Sequence, residues 1–168
     1  MDNYLLMKKS KELEYFSKSL GFEKTYFWED FEILETDSKK ELLRISGKKK
    51  VIFRAPSEEL LRFALEKTKV FGVIGMEKIN PKDSLHFVRG GLDQVLCKIA
   101  AEKDKVVVFS FSEILNAKDK GKLLKRISFN AKLCKKYKVK VLFSTFASSK
   151  TEMRSVKDLE ALSRVLRI

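Results

Sequence analysis

Val139-Lys-Val-Leu-Phe-Ser-Thr-Phe146 runs into Ala147-Ser-Ser-Lys-Thr-Glu-Met-Arg154 and then into Ser155-Val-Lys-Asp-Leu-Glu-Ala-Leu-Ser-Arg-Val-Leu166. The first piece is a nearly continuous apolar run, the pattern of a strand buried on both faces of a parallel sheet. The second is a polar loop. The third places Val156, Leu159, Leu162 and Val165 on one helical face, and Ser155 with Asp158 opens it as a capping box that uses Asp where Glu or Gln is usual. Strand, loop and capped helix in that order make a βα unit.

The same alternation recurs upstream. Short apolar runs stand at Tyr4–Met7, Thr25–Trp28, Val51–Phe53, Val70–Ile74, Leu85–Val88 and Val106–Phe111. Helical periods lie between them: Leu92, Val95, Leu96, Ile99 and Ala100 in one, Leu123, Leu124, Ile127, Ala131 and Cys134 in another, with weaker versions over Ser57–Lys67 and Lys9–Leu20. Alternating strands and helices imply right-handed βα crossovers and one α/β domain over residues 1–168. Seven candidate strands predict a TIM-like (β/α) barrel. At 168 residues the chain is shorter than the ~200 or more a full barrel needs, so the barrel is expected to be trimmed or incomplete. Residues 75–83 are too short for a crossover helix between the run ending at Ile74 and the one opening after Ser84, so the trimming is expected there.

Charge is distributed unevenly. Residues 118–168 hold 15 Lys or Arg against 4 acidic residues, which accounts for +11 of the chain's net +13. Such concentration points to one large anionic partner. The 44% hydrophobic content and 13 Phe suit a real core. No apolar run approaches the roughly 20 residues of a membrane span, and Met1-Asp-Asn-Tyr lacks the marks of a signal peptide. Cys97 and Cys134 fall on apolar helix faces and read as reduced core residues, so the expected location is the cytoplasm and no membrane contact is expected.

A catalytic constellation is hard to assemble. Two lone Cys and the single His86 do not make a four-ligand zinc site. Gly72-Val-Ile-Gly75 and Gly90-Gly91 lack the spacing of a phosphate loop. His86 lies in an apolar run and reads as structural. The acidic run Glu29-Asp30-Phe-Glu32-Ile-Leu-Glu35-Thr-Asp37 reads as a solvated loop, or as a site for a hard cation. The helix over about 119–137 carries Lys122, Lys125, Lys132 and Lys136 opposite its apolar face, with Phe129 among them. That stripe is either a solvated face or a track for phosphates with an aromatic for stacking or docking. The loop 147–154 collects Ser hydroxyls, Lys150 and Arg154 at a helix N-terminus. It reads as a phosphate seat or as a well-capped βα loop.

Five segments, in this order and spacing, resemble a known family. They are Gly91-Leu-Asp-Gln-Val-Leu-Cys-Lys-Ile-Ala-Ala101, Val106-Val-Val-Phe-Ser-Phe-Ser-Glu-Ile-Leu115, Lys136-Tyr-Lys-Val139, Phe143-Ser-Thr-Phe-Ala-Ser-Ser149 and Met153-Arg-Ser-Val-Lys-Asp-Leu-Glu-Ala-Leu162. The family is ribonuclease P protein component 3, the thirty-kilodalton subunit of archaeal and eukaryotic ribonuclease P. Its members carry a G-x-D-x-V-L-x-K-I-A run and an R-S-P-x-D-L helix start. The match spans residues 88–166; over 1–87 only the order of elements agrees. Val156 stands where the family has Pro.

The resemblance implies a barrel-like fold and a non-catalytic protein. In that family the ribonuclease P RNA, with magnesium, removes the 5′ leader of precursor tRNA, and the protein supports it together with component 2. No cofactor of the protein itself is expected. Arg89, Lys122, Lys125, Arg126, Lys136, Lys150, Arg154 and Lys157 are the expected RNA contacts, Arg89 and Arg154 because they also sit at predicted βα loops within the matching span. A hydrolase of a phosphorylated small molecule and a general RNA-binding adaptor are the other readings.

Overall fold

The computed structural model describes every residue except 81, 84 and 85. Among the described residues seven strands appear, all paired in parallel. β1 (Asn3–Tyr4) and β2 (Thr25–Tyr26) form a two-stranded sheet, with α1 (Lys11–Ser19) between them in sequence. β3 (Phe31–Leu34), β4 (Lys50–Arg54), β5 (Gly72–Ile74), β6 (Val106–Ser110) and β7 (Lys140–Ser144) form a five-stranded sheet in sequential order. The crossovers are α2 (Lys39–Leu43), α3 (Glu58–Lys67), α4 (Gln94–Glu102) and the pair α5 (Phe111–Leu115) and α6 (Lys120–Tyr137); α7 (Val156–Leu166) follows β7.

The continuous apolar runs are explained by burial on both sides. Along β4 to β7, Phe53, Val73, Val107, Phe109 and Phe143 face the helices and join the main core with Leu61, Leu65, Cys97, Ile127, Ala131 and Leu159. Ile52, Ile74, Val106 and Val108 face the other way into a second cluster with Phe31, Tyr4 and Phe146. The aromatic rings there pack edge-on or stacked, with centroids 4.7–5.9 Å apart. Lys50 brings its ammonium over the Tyr26, Phe71 and Tyr4 rings at 4.4, 5.2 and 5.8 Å, so its charge is held by ring faces.

The sheet does not close. β1 reaches the segment after β7 through one parallel bridge, Leu5 to Ala147, together with the Leu6 amide donating to the Ala147 carbonyl at 2.9 Å. Asn3, fully buried, reinforces that junction: it donates to the Ser17 hydroxyl, and the Thr145 hydroxyl donates back to it. Among the described residues no ladder joins β2 to β3. A complete barrel is therefore not formed.

Four sequence expectations change. Phe31-Glu-Ile-Leu34, inside the acidic run, is a strand, with Phe31 buried and Glu32 exposed. His86, Phe87 and Val88 are not in a strand, and His86 is exposed; Leu85 lies outside the described residues. With that strand gone, the short connection after Ile74 is no anomaly. β5 runs through a 3-10 turn at Met76–Lys78 and a loop into α4, which is an ordinary crossover. The N-terminal run is a strand only at Asn3–Tyr4. Cys97 and Cys134 are buried and free as expected, and they hydrogen-bond each other across α4 and α6, which with burial pushes the Cys134 thiol up. No helix among the described residues is long and apolar enough to cross a membrane.

The helix starts follow the sequence closely. Ser10, Ser57, Asp93, Asp119 and Ser155 each cap a helix with a side-chain oxygen. At α7 the capping box is complete. The Val156 amide also donates to the Leu20 carbonyl at 2.9 Å, a bond that Pro at this position would forfeit. Ser155→Ala is expected to lower stability by about 1 kcal/mol, read as a shift in urea midpoint. An unchanged midpoint would show that the Leu20 bond holds the helix start alone.

Candidate nucleic-acid interface

The expected RNA contacts separate into groups once placed. Lys125, Lys136 and Lys157 are exposed. Lys136 lies 5.5 Å from the Tyr137 ring. Lys122 is half-buried, with its amide bound to the Asp119 cap. Lys150 pairs with Glu12 and lies over the Phe16 ring, which ties the loop after β7 to α1.

Arg126 is not a surface residue. It is 3% exposed, and its guanidinium is consumed inside the protein. Nε donates to Asp83 Oδ1 at 2.9 Å, Nη2 pairs with the same carboxylate at 2.7 Å, and Nη1 donates to the carbonyls of Glu77 and Asn80. The Arg89 amide and Arg126 together hold the Asp83 carboxyl below its ordinary range. Arg126 thus fastens the loop between β5 and α4 onto α6. Asn130, one turn on and fully buried, donates to the Gly90 carbonyl at 2.7 Å. Gly91 has φ +85°, and a Cβ there would fall on the Met76 carbonyl oxygen, so only glycine fits.

This fastening brings Arg89 and Phe129 together. Both line an open cleft of about 530 Å³ with Phe87, Gly90, Gln94 and Leu133. Arg89 is exposed and its guanidinium lies 5.9 Å from the Phe87 ring. Phe129 is half-buried against Gly90 and is not a free surface aromatic.

The loop 147–154 is already filled by a carboxylate. Glu152 accepts from the Ser148 amide at 2.7 Å, the Ser148 hydroxyl at 2.9 Å and Asn116 at 2.8 Å. Burial pushes its carboxyl up, and those donors outweigh it and hold it below the ordinary range. Arg154 is half-buried. It donates to the carbonyls of Thr151 and Met153 and lies 5.6 Å from the Phe111 ring. The donors that suggested a phosphate seat are spent within the loop, so an incoming phosphate has to displace Glu152.

The C-terminal ends of β4, β5 and β6 hold an ion cluster. Glu113 accepts from Arg54 and pairs with Lys78, both at 2.5 Å, and Arg54 approaches Glu35 at 3.9 Å. Burial raises the Glu113 carboxyl, but the two cations outweigh that and hold it low. Glu77 beside it is 3% exposed, and its Oε2 has no hydrogen-bond partner. Burial, aided by Glu113, pushes the Glu77 carboxyl up to about 7. Among the described residues no group of three or more His, Cys, Asp or Glu is placed to hold a metal ion. The cluster is internally neutralised, and it offers no nucleophile with an adjacent base.

One basic surface was not anticipated as a unit. The last turns of α6 and α7 lie side by side, and Lys132, Lys135, Arg164 and Arg167 line the cleft between them. The signal was present as two basic i, i+3 pairs near the ends of helices that flank one strand.

No family model matches the chain, and no curated protein matches it. Among solved structures it is similar to a chain of the cryo-EM structure of archaeal ribonuclease P with mature tRNA. The identity is 20% and the TM-score 0.66, over 98% of this chain and 72% of that one. At that identity the likeness establishes a shared fold.

Proposed function

We propose that this chain is a protein subunit of ribonuclease P that supports RNA-catalysed removal of the 5′ leader from precursor tRNA. The observation that carries the reading is the fold likeness to a chain from archaeal ribonuclease P over nearly the whole length. The motif order over residues 88–166, the +11 charge of the last third and the self-neutralised ion cluster at the strand ends all support it. The seven strands around an aromatic interior then read as an incomplete (β/α) barrel. The catalyst is the RNA with its magnesium, and the protein stabilises the RNA's active shape in the cytoplasm together with protein component 2. Arg89, Lys125, Lys136 and Lys157 are exposed and ready for phosphate contact; Lys122, Lys150 and Arg154 contribute from positions already partly engaged. Arg126 drops out of the set.

Reconstitution tests the proposal. The chain and a component 2 subunit are added to ribonuclease P RNA, and 5′ leader cleavage of precursor tRNA is measured at low magnesium. Stimulation is expected with both proteins present. No stimulation overturns the reading. Equal affinity for an unrelated structured RNA across a salt series marks a general RNA-binding protein instead.

A further inference from the structure

The cleft between α6 and α7 has a volume of about 550 Å³ and is lined by Lys132, Lys135, Arg164, Arg167 and Ile168. All four charged side chains are cationic. Lys132, Lys135 and Arg167 are exposed and pair with no carboxylate among the described residues; Arg164 has one loose approach, 3.8 Å to Glu160. Cations near a helix C-terminus offset the macrodipole, which accounts for one or two per helix. It does not account for two helices turning their cations into one shared cleft. Like charges gathered there repel each other, and a polyanion that neutralises several at once relieves this more fully than screening by salt.

The arrangement favours an extended polyanion over a small one. Lys132 and Lys135 stand about one turn apart on one wall, Arg164 and Arg167 about one turn apart on the other. The cleft is open, whereas a single phosphate calls for an enclosed set of donors. Arginine forks grip phosphate oxygens in bidentate fashion, and the lysines add point charge with freedom to follow the chain. No aromatic side chain lines the cleft, so it offers no platform for stacking a base.

We infer that the α6–α7 cleft seats the sugar–phosphate backbone of a helical RNA segment, read by shape and charge and not by base sequence. This rests on the chain binding RNA, not on the identity of that RNA. It differs from the surface around Arg89 and from the loop at Arg154, and it identifies where the uneven charge of the last third is used.

The test replaces Lys132, Lys135, Arg164 and Arg167 together by Gln in the full chain. A control replaces the equally exposed Lys8, Lys24, Lys48 and Lys103. Binding is measured over a salt series to ribonuclease P RNA, to an unrelated structured RNA and to inorganic polyphosphate. The cleft variant is expected to lose roughly tenfold or more in RNA affinity, and its log K against log salt slope should fall by about 3 units, whereas the control should change by less than one. Equal losses in variant and control mean diffuse attraction and overturn the inference. Loss confined to polyphosphate also overturns it. Loss with both RNAs upholds the cleft even if leader cleavage is not stimulated in reconstitution, so the two readings fail separately. Circular dichroism and thermal midpoint verify folding; if the fourfold variant does not fold, the Lys pair and the Arg pair are replaced separately, each with an expected slope change of about 1.5.

Discussion

Arg126→Ala is expected to destabilise the protein by about 2–3 kcal/mol, chiefly through the carbonyls it leaves unpaired. The guanidinium is buried and serves Asp83 together with the carbonyls of Glu77 and Asn80. Removing it leaves a carboxylate and two carbonyls short of partners, and the loop between β5 and α4 loses its attachment to α6. Denaturant unfolding reads the effect directly. Arg126→Lys should recover only a small part, because one ammonium cannot match the planar fork that reaches all three acceptors. RNA affinity of the folded fraction should keep its salt slope. An unchanged unfolding midpoint combined with a slope lower by about one would return Arg126 to the list of RNA contacts.

Glu77→Gln is expected to stabilise the protein at pH 8 by about 3 kcal/mol and to have little effect near pH 4.5. Burial raises the folded-state carboxyl from 4.5 to about 7, so the native state holds the proton more tightly than the unfolded chain does. The stability this group supports is fully present below about pH 4.5. It is lost as pH rises towards 7, where the buried group must ionise. Glu113, Asp83 and Glu152 act in the opposite sense, since their folded-state values are lowered and their contributions fade as pH falls. The informative quantity is therefore the difference between wild type and variant, measured by urea unfolding from pH 4.5 to 8. A constant difference across that range would mean that folding leaves the Glu77 carboxyl at its unfolded-state value.

Much of the fold was legible because local signals agreed with one another. Ser155 and Asp158 announce α7, Asp93 and Asp119 cap the helices whose apolar periods follow them, and the unbroken Val106–Phe109 run reflects burial on both faces of the central sheet. Phe31-Glu-Ile-Leu34 was hidden because its flanking acids dominate the window, although its alternation is correct for an edge strand with one wet face. Val88 and its neighbours have strand-like composition, but the adjoining Arg89 amide is taken by Asp83 and no ladder forms among the described residues there. Arg126 was misread although its position gave it away. Leu123, Arg126, Ile127, Asn130, Ala131 and Cys134 follow the helical core period, so a polar residue in that series had to be buried and bonded. The occupancy of the loop at 147–154 by Glu152 had no signal in residue type, since a carboxylate four residues after Ser148 reads equally well as solvated and Asn116 is distant in sequence.

The attachment of β1 imposes an order on biosynthesis. Tyr4 and Leu5 find their partners at Ser144 and Ala147, about 140 residues further along the chain. While the ribosome is still extending the chain, the five-stranded sheet can grow strand by strand from β3, each new strand docking beside the last. The first strand pairs with β2 early, but its other edge has no neighbour until β7 has emerged. That edge stays open while β3 to β7 are made, and its contact with the segment after β7 is the last of these pairings to form. The open edge of residues 3–7 is thus the one on which a chaperone would have the longest hold.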